Sequence, residues 1–166
     1  LPHRVAELTA EHNAHLRGES GGESHEELMA RGRQLEEARE FTQAIDAYLS
    51  VTVAQTKNPD FLEEVWENAV KLAMNHVPAR IADVVATVSK RLIEIQRFAQ
   101  AAELYEGIDK HREAIQVYMQ GGMWEQAREL AKQVGPKVER EVAEAYKRSM
   151  AEGGQVRGAI VVQSYD

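Results

Sequence analysis

The chain has 166 residues, a net charge of −7 and no cysteine. The length allows one ordinary domain or a handful of stacked repeats, the missing cysteines exclude disulfides and thiolate metal sites, and the acidic balance argues against a nucleic-acid-binding face. No apolar run approaches a membrane span of about 18 residues, and no signal-peptide pattern opens the sequence. Because the chain begins without Met, we expect it to be a piece of a longer protein.

The first forty residues predict the end of one helix, a loop and a second helix. Residues 1–17 are interpreted as the end of a preceding helix. Residues 18–24 contain three Gly and two Ser, a composition typical of a loop. Ser24, with Glu27 three residues later, predicts a capping box at the start of the next helix. That helix is expected to run to about Glu40.

Small residues at fixed spacing predict that this helix packs closely on the next one. Gly32 lies twelve residues before Ala44 and sixteen before Tyr48. Two small residues allow two antiparallel helices to approach closely. The spacing resembles the tetratricopeptide (TPR) pattern, although Leu28 replaces the first-helix Trp of that pattern and its closing Pro is absent. The second helix is expected to begin at Phe41.

Two further helices are predicted in the middle of the chain. The helix that begins at residue 41 is expected to fade near Gln55. Asp60 is the expected N-cap of the next helix, with Glu63 three residues on, and an apolar stripe continues over residues 61–76. A second helix is predicted over residues 80–96, where β-branched residues follow a period of 3.6.

Three blocks of similar sequence follow, at Phe98, His111 and Trp124, with starts 13 residues apart. Each begins with a large ring and has Ala three residues later, as does the block at Phe41. A fixed period with a small residue at a fixed place is typical of helical repeats. The large aromatic residues are interpreted as core rather than as peptide-binding anchors: Trp66, Trp124, Tyr105 and Tyr118.

The last helix is predicted to open at Pro136, with Met150 on its buried stripe. Residues 153–166 are predicted to form an extended or disordered tail. Together these elements predict an all-α fold, an α-solenoid of stacked antiparallel helical hairpins with about nine helices. Residues 25–152 are expected to form the TPR-like repeats.

No group of residues in the sequence predicts catalysis. His3, His12 and His15 lack the further ligands that zinc needs, and no second His follows His25 at the zincin spacing. Paired carboxylates are interpreted as solvated helix faces. We therefore predict no catalytic, cofactor-binding or metal-binding residue, and the protein is not expected to be an enzyme.

A partner surface is expected among the polar residues of the exposed helix faces. The candidate residues are Arg91, Glu94, Arg97, Lys110, Arg112, Glu125 and Arg128. This set suits any helical-repeat protein that binds another protein, so it predicts protein–protein interaction without naming the partner.

Several segments, taken in order, resemble one protein family. The most specific are Leu62-Glu-Glu-Val-Trp-Glu67 and Gly122-Met-Trp-Glu-Gln-Ala-Arg128. They resemble the TPR-type solenoid in the family of the largest intraflagellar transport complex B subunits, and the resemblance covers roughly residues 35–150. After Gly153 the sequence departs from the family, in which further helical repeats are expected.

The resemblance implies a non-catalytic interaction scaffold, part of an intraflagellar transport subunit needed for cilium assembly and cargo transport. It implies other intraflagellar transport subunits as partners, no cofactor, and a location in the cilium or flagellum and at its base, on the cytoplasmic side. Two alternatives are a TPR-type peptide-binding receptor in a coat or trafficking complex, and an enzyme. The receptor would need a cluster of Lys, Arg or Asn in its groove, and nothing in the sequence predicts a substrate for the enzyme.

Overall fold

The computed structural model describes residues 23–153, which form eight α-helices and one 3-10 turn and contain no strand. The helices are α1 (His25–Glu37), α2 (Phe41–Leu49), α3 (Pro59–His76), α4 (Ile81–Glu94), α5 (Phe98–Gly107), α6 (His111–Gln120), α7 (Trp124–Val134) and α8 (Pro136–Ala151). The predicted segment 1–17, most of the loop 18–24 and nearly all of the tail 153–166 lie outside the described residues. The all-α prediction is confirmed, and the helix count is close to the nine expected.

The chain divides into two compact units, with the boundary between Val84 and Val85. In the first unit, α1 packs on α2 and α2 packs on α3. In the second unit, α5 packs on α6, α6 on α7 and α7 on α8. Within each unit a helix therefore packs on its neighbour in sequence, which is the arrangement predicted from the repeats.

The close helix crossing predicted in the first unit is present. Gly32, Ala44 and Tyr48 are all buried. The Tyr48 ring lies so close to the backbone of Gly32 that a Cβ at position 32 would overlap it. Glycine is therefore required here to leave room for the ring. The small residues predicted the close crossing, but the contact expected for Gly32 was Ala44 rather than the Tyr48 ring.

The three 13-residue blocks form three successive helices of the second unit. Helices α5, α6 and α7 begin at the ring residues Phe98, His111 and Trp124. The alanine three residues after each ring is fully buried, with 0% exposure at Ala101, Ala114 and Ala127. Phe98 also packs against Gly121 after the end of α6, where a Cβ would lie 2.6 Å from both Cβ and Cγ of Phe98.

We expect Gly121→Ala to destabilise the protein by about 1–3 kcal/mol, because the new methyl group overpacks against Phe98. Gly107, the last residue of α5, is the matched control because no atom lies within 4 Å of a Cβ there. Gly107→Ala should stabilise by about 0.5–1 kcal/mol, since Ala is favoured over Gly in a helix. Urea unfolding followed by circular dichroism measures both. Equal stability of the two variants would contradict the contact between Phe98 and Gly121.

One turn geometry precedes four of the helices. Before α6, the N–H of Lys110 donates to the carbonyl of Tyr105 at 2.9 Å, and the N–H of Asp109 donates to the carbonyl of Glu106 at 3.0 Å. This pair of hydrogen bonds is a Schellman motif, and the same pair precedes α2, α5 and α7. The residues with positive φ in these four turns are Arg39, Gln96, Asp109 and Gly122. Each stands two residues before a ring, and Gln96, Asp109 and Gly122 follow the 13-residue period of the helices.

We expect Gln96→Gly to stabilise the protein by up to about 1 kcal/mol. A left-handed conformation costs a residue with a side chain about 1–2 kcal/mol, and the greater freedom of Gly in the unfolded chain offsets part of this gain. Gly122→Ala makes the opposite change at the equivalent position, where nothing crowds a Cβ. Its melting temperature should fall while that of Gln96→Gly rises. The reverse order would contradict the left-handed turns.

The predicted helix ends were wrong at two places in the first unit. Helix α1 ends at Glu37 rather than Glu40, because Arg39 takes the left-handed conformation with a φ of 61°. Helix α2 ends at Leu49 rather than near Gln55. The capping box of α1 was predicted correctly, since the hydroxyl of its N-cap serine accepts the backbone N–H of the third helical residue.

The predicted start of α3 was also wrong. The N-cap is Asn58, not Asp60, and its side-chain oxygen accepts hydrogen bonds from the N–H groups of Asp60 and Phe61 at 3.1 and 3.2 Å. Pro59 is the first helical residue, where its missing N–H costs no hydrogen bond. Helix α4 begins at Ile81 because residues 78–80 form a 3-10 turn.

Helix α8 begins at Pro136 as predicted, but its buried stripe ends differently. Met150 is 44% exposed, whereas Ser149 is fully buried at 0%. The apolar pattern placed the last contact one residue too late in the chain.

Candidate partner surface

The seven residues of the predicted partner surface all lie in the second unit. Glu94, Lys110, Arg112, Glu125 and Arg128 are exposed, and Arg91 and Arg97 are half-buried. Burial lowers the pKa of Arg91, and the charge of Glu94 opposes that shift. Whether these residues bind a partner stays a prediction.

The exposed members of this set have different surroundings. Lys110 and Arg112 line one groove of about 420 Å³ at the start of α6, together with Glu113. Glu125 and Glu94 line two other grooves. The Arg128 guanidinium lies 6.0 Å from the ring centroid of Tyr146, a cation–π contact. The predicted set therefore lines several grooves, two of which share Glu113.

A hydrogen bond between tyrosine and glutamate recurs in both units. The Tyr48 hydroxyl donates to the Glu36 carboxylate, and the Tyr118 hydroxyl donates to the Glu106 carboxylate. In each pair the glutamate stands twelve residues earlier, near the end of the preceding helix. Burial, followed by the carboxylate hydrogen bond and charge, raises the pKa of both tyrosines. These pairs were not predicted from the sequence, although the spacing of twelve residues is visible there.

We expect alkaline pH to weaken the fold through these tyrosines. A pKa raised above the unfolded value of about 10 means that the folded state holds the proton more tightly. The free energy of unfolding therefore keeps this contribution below about pH 10 and loses it as the pH rises further. Urea unfolding at several alkaline pH values should show a smaller loss for Tyr118→Phe than for the parent chain. An unchanged pH dependence in Tyr118→Phe would contradict the raised pKa of Tyr118.

Two grooves of the second unit are related by the 13-residue period. The Tyr118 groove, of about 400 Å³, is lined by Glu106, Tyr118, Gln126, Glu129, Leu130 and Gln133 as well as Glu125. The Tyr105 groove, of about 320 Å³, is lined by Ile93, Tyr105, Glu113, Gln116, Val117 and Gln120 as well as Lys90 and Glu94. The first six residues of the two grooves correspond one to one, 13 positions apart. The two grooves are thus one structural feature repeated one helix further along the chain.

The Tyr105 groove corrects part of the sequence interpretation. Trp66, Trp124 and Tyr118 are buried, as predicted for core residues. Tyr105 is only half-buried and lines a groove open to solvent. Its neighbours were not recognised as a group, because they are spread over three helices.

Other kinds of site find no support in residues 23–153. No three His, Asp or Glu side chains in this part of the chain are placed to hold a metal ion. None of the helices described is long and apolar enough to cross a membrane.

Sequence comparison shows which known proteins resemble the chain. No family model matches it. The Intraflagellar transport protein 172 of Chlamydomonas reinhardtii is 38% identical over 157 residues, which are 93% of this chain. The chain is homologous to one segment of intraflagellar transport protein 172. The homologs of intraflagellar transport protein 172 in Mus musculus and Homo sapiens are 34% and 32% identical over 143 residues, or 86% of this chain.

The homology covers a small part of each relative. The chain spans 9% of the Chlamydomonas reinhardtii intraflagellar transport protein 172 and 8% of the Mus musculus homolog. The resemblance predicted from the two specific sequence segments is confirmed.

Proposed function

We propose that the chain is a non-catalytic protein–protein interaction scaffold within an intraflagellar transport subunit, needed for cilium assembly and cargo transport. The main support is the 38% identity to Intraflagellar transport protein 172 over 93% of this chain. Under this proposal the partners are other intraflagellar transport subunits. The location is the cilium or flagellum and its base, on the cytoplasmic side.

The packing within each unit fits a scaffold. Fully buried alanines hold neighbouring helices close together, as Ala44 does in the first unit and Ala114 in the second. The charged side chains of the same helices stay exposed, for example Arg112 and Glu125. A protein of this kind acts by geometry, because closely packed helices present their outer side chains at fixed spacing to a partner.

Reversal of exposed charges tests the proposal. Arg112→Glu and Glu125→Arg should each weaken binding to purified intraflagellar transport complex B subunits by about tenfold, or 1.4 kcal/mol. Lys71→Glu is the matched control, since Lys71 is an exposed cation of α3 in the first unit. Circular dichroism should show that all three variants keep the helical fold. If none of the purified subunits binds the parent chain, the proposed partners are wrong.

One observation favours a second candidate function, the TPR-type peptide-binding receptor. The Tyr105 groove combines an open volume of about 320 Å³ with a half-buried aromatic ring. Saturable binding of one short peptide, with no binding of whole complex B subunits, would favour the receptor over the scaffold.

A further inference from the structure

The Tyr105 groove and the Tyr118 groove differ at one wall position. In the Tyr118 groove the tyrosine hydroxyl is held by the Glu106 carboxylate. The residue 13 positions earlier is Ile93, which lines the Tyr105 groove. An aliphatic side chain cannot accept a hydrogen bond, so this wall does not hold the Tyr105 hydroxyl as Glu106 holds that of Tyr118.

The lining of the Tyr105 groove combines apolar and acidic side chains. Ile93, which is half-buried, and Val117, which is 4% exposed, line the groove together with Tyr105. Glu94 and Glu113 are both exposed. Lys90 is the single cationic residue that lines this groove, whose described lining therefore has a net negative charge.

We infer that the Tyr105 groove receives a Lys or Arg side chain from a segment of a partner protein. The aliphatic stem of that side chain packs over Ile93 and Val117, and its charged head reaches Glu94 and Glu113. Long basic side chains bury their stems on apolar surface in this way and keep the charge in a polar setting. The Tyr105 hydroxyl donates to a backbone carbonyl of the same segment. This inference rests on the proposed scaffold function and names the kind of segment that binds.

Charge complementarity decides between a basic and an acidic segment. An acidic side chain would find one lysine and two glutamates along the groove, Lys90 against Glu94 and Glu113. Like charges that face each other across an interface are destabilising. A basic side chain meets the opposite balance, so the groove favours the basic segment.

Titration of two model peptides into the ¹⁵N-labelled 166-residue chain tests the inference. The probe is the capped peptide Ala-Leu-Lys-Ala-Leu-Lys-Ala, and its partner has Glu in place of both Lys. With the Lys peptide we expect saturable shifts of the backbone amide signals of Ile93, Tyr105 and Val117. The dissociation constant should be about 1 mM. The Glu peptide should bind at least about tenfold more weakly, a difference of about 1.4 kcal/mol. Equal binding of the two peptides, or no shift with the Lys peptide, would overturn the inference.

Matched variants separate the groove from general attraction to an acidic protein. The double variant Glu94→Gln and Glu113→Gln should weaken binding of the Lys peptide by about tenfold or more. Glu129→Gln with Glu144→Gln removes the same charge from exposed positions of α7 and α8 and should leave binding unchanged. Equal weakening in the two double variants would show non-specific attraction and overturn the inference.

The tyrosines give a second comparison that leaves the charge unchanged. Tyr105→Phe should weaken the Lys peptide about threefold to tenfold, since one hydrogen bond contributes about 0.5–1.5 kcal/mol. Tyr118→Phe should have no effect on the peptide. If the groove variants leave peptide binding unaltered while complex B subunits still bind the parent chain, this inference fails and the scaffold proposal stands.

Discussion

Trp66→Ala should lower the free energy of unfolding by about 3–5 kcal/mol, the usual cost of removing a large buried aromatic side chain. Trp66 is 1% exposed and lies on α3 in the core of the first unit. Its indole N–H donates to the carbonyl of Val51 at 2.8 Å, which ties α3 to the segment after α2. Truncation leaves a cavity and removes this buried hydrogen bond. Urea unfolding followed by far-ultraviolet circular dichroism measures the loss.

Trp66→Phe keeps one aromatic ring in the core. It loses the donor to Val51 and the volume of the second ring of the indole, so a cost of about 1–3 kcal/mol is expected for the unpaired carbonyl, with a further cost for the smaller side chain. Trp124 is then the remaining tryptophan of the chain, and its fluorescence follows the second unit by itself. A loss below about 1 kcal/mol for Trp66→Ala would show that the Trp66 side chain is not part of the core.

The repeats were predictable from sequence because packing and period coincide. A close helix crossing needs a small residue at the point where the two helices meet. Ala101, Ala114 and Ala127 supply that residue once in each repeat, at equal spacing. The small residues Gly32 and Ala44 predicted a close crossing of α1 and α2 in the same way. Packing between helices could be predicted here because each repeat needs a small residue at the same position.

Helix ends were less predictable because neighbouring residues compete for the same role. Asn58 and Asp60 both carry a side-chain oxygen suited to capping, and the fixed φ of Pro59 decides in favour of Asn58. The turn before α5 places Gln96 at a positive φ, a conformation that its side chain does not favour. The Schellman hydrogen bonds of the turn hold that conformation, and only the place of Gln96 two residues before a ring marks it in the sequence.

The Tyr105 groove was not predicted from the sequence pattern. Tyr105 and Tyr118 occupy equivalent places in their blocks, and the sequence analysis gave both the same core role. Their difference depends on residues twelve positions earlier, Ile93 and Glu106, which belong to the preceding helices. The signal was present in the sequence, but only the packed helices show that these positions face the tyrosines.

Ala114→Leu should destabilise the protein by about 1–3 kcal/mol, because three added carbon atoms overpack a close helix crossing. Ala114 is 0% exposed on α6, which packs against both α5 and α7. Arg112→Glu, two residues earlier on the exposed face of the same helix, should change stability by less than about 0.5 kcal/mol. In thermal unfolding, Ala114→Leu should therefore lower the melting temperature by about 2–4 °C for each kcal/mol lost. Arg112→Glu should leave the melting temperature almost unchanged. Equal melting temperatures would mean that the 13-residue register does not place Ala114 at the crossing, and the equivalent roles of Ala101 and Ala127 would fall with it.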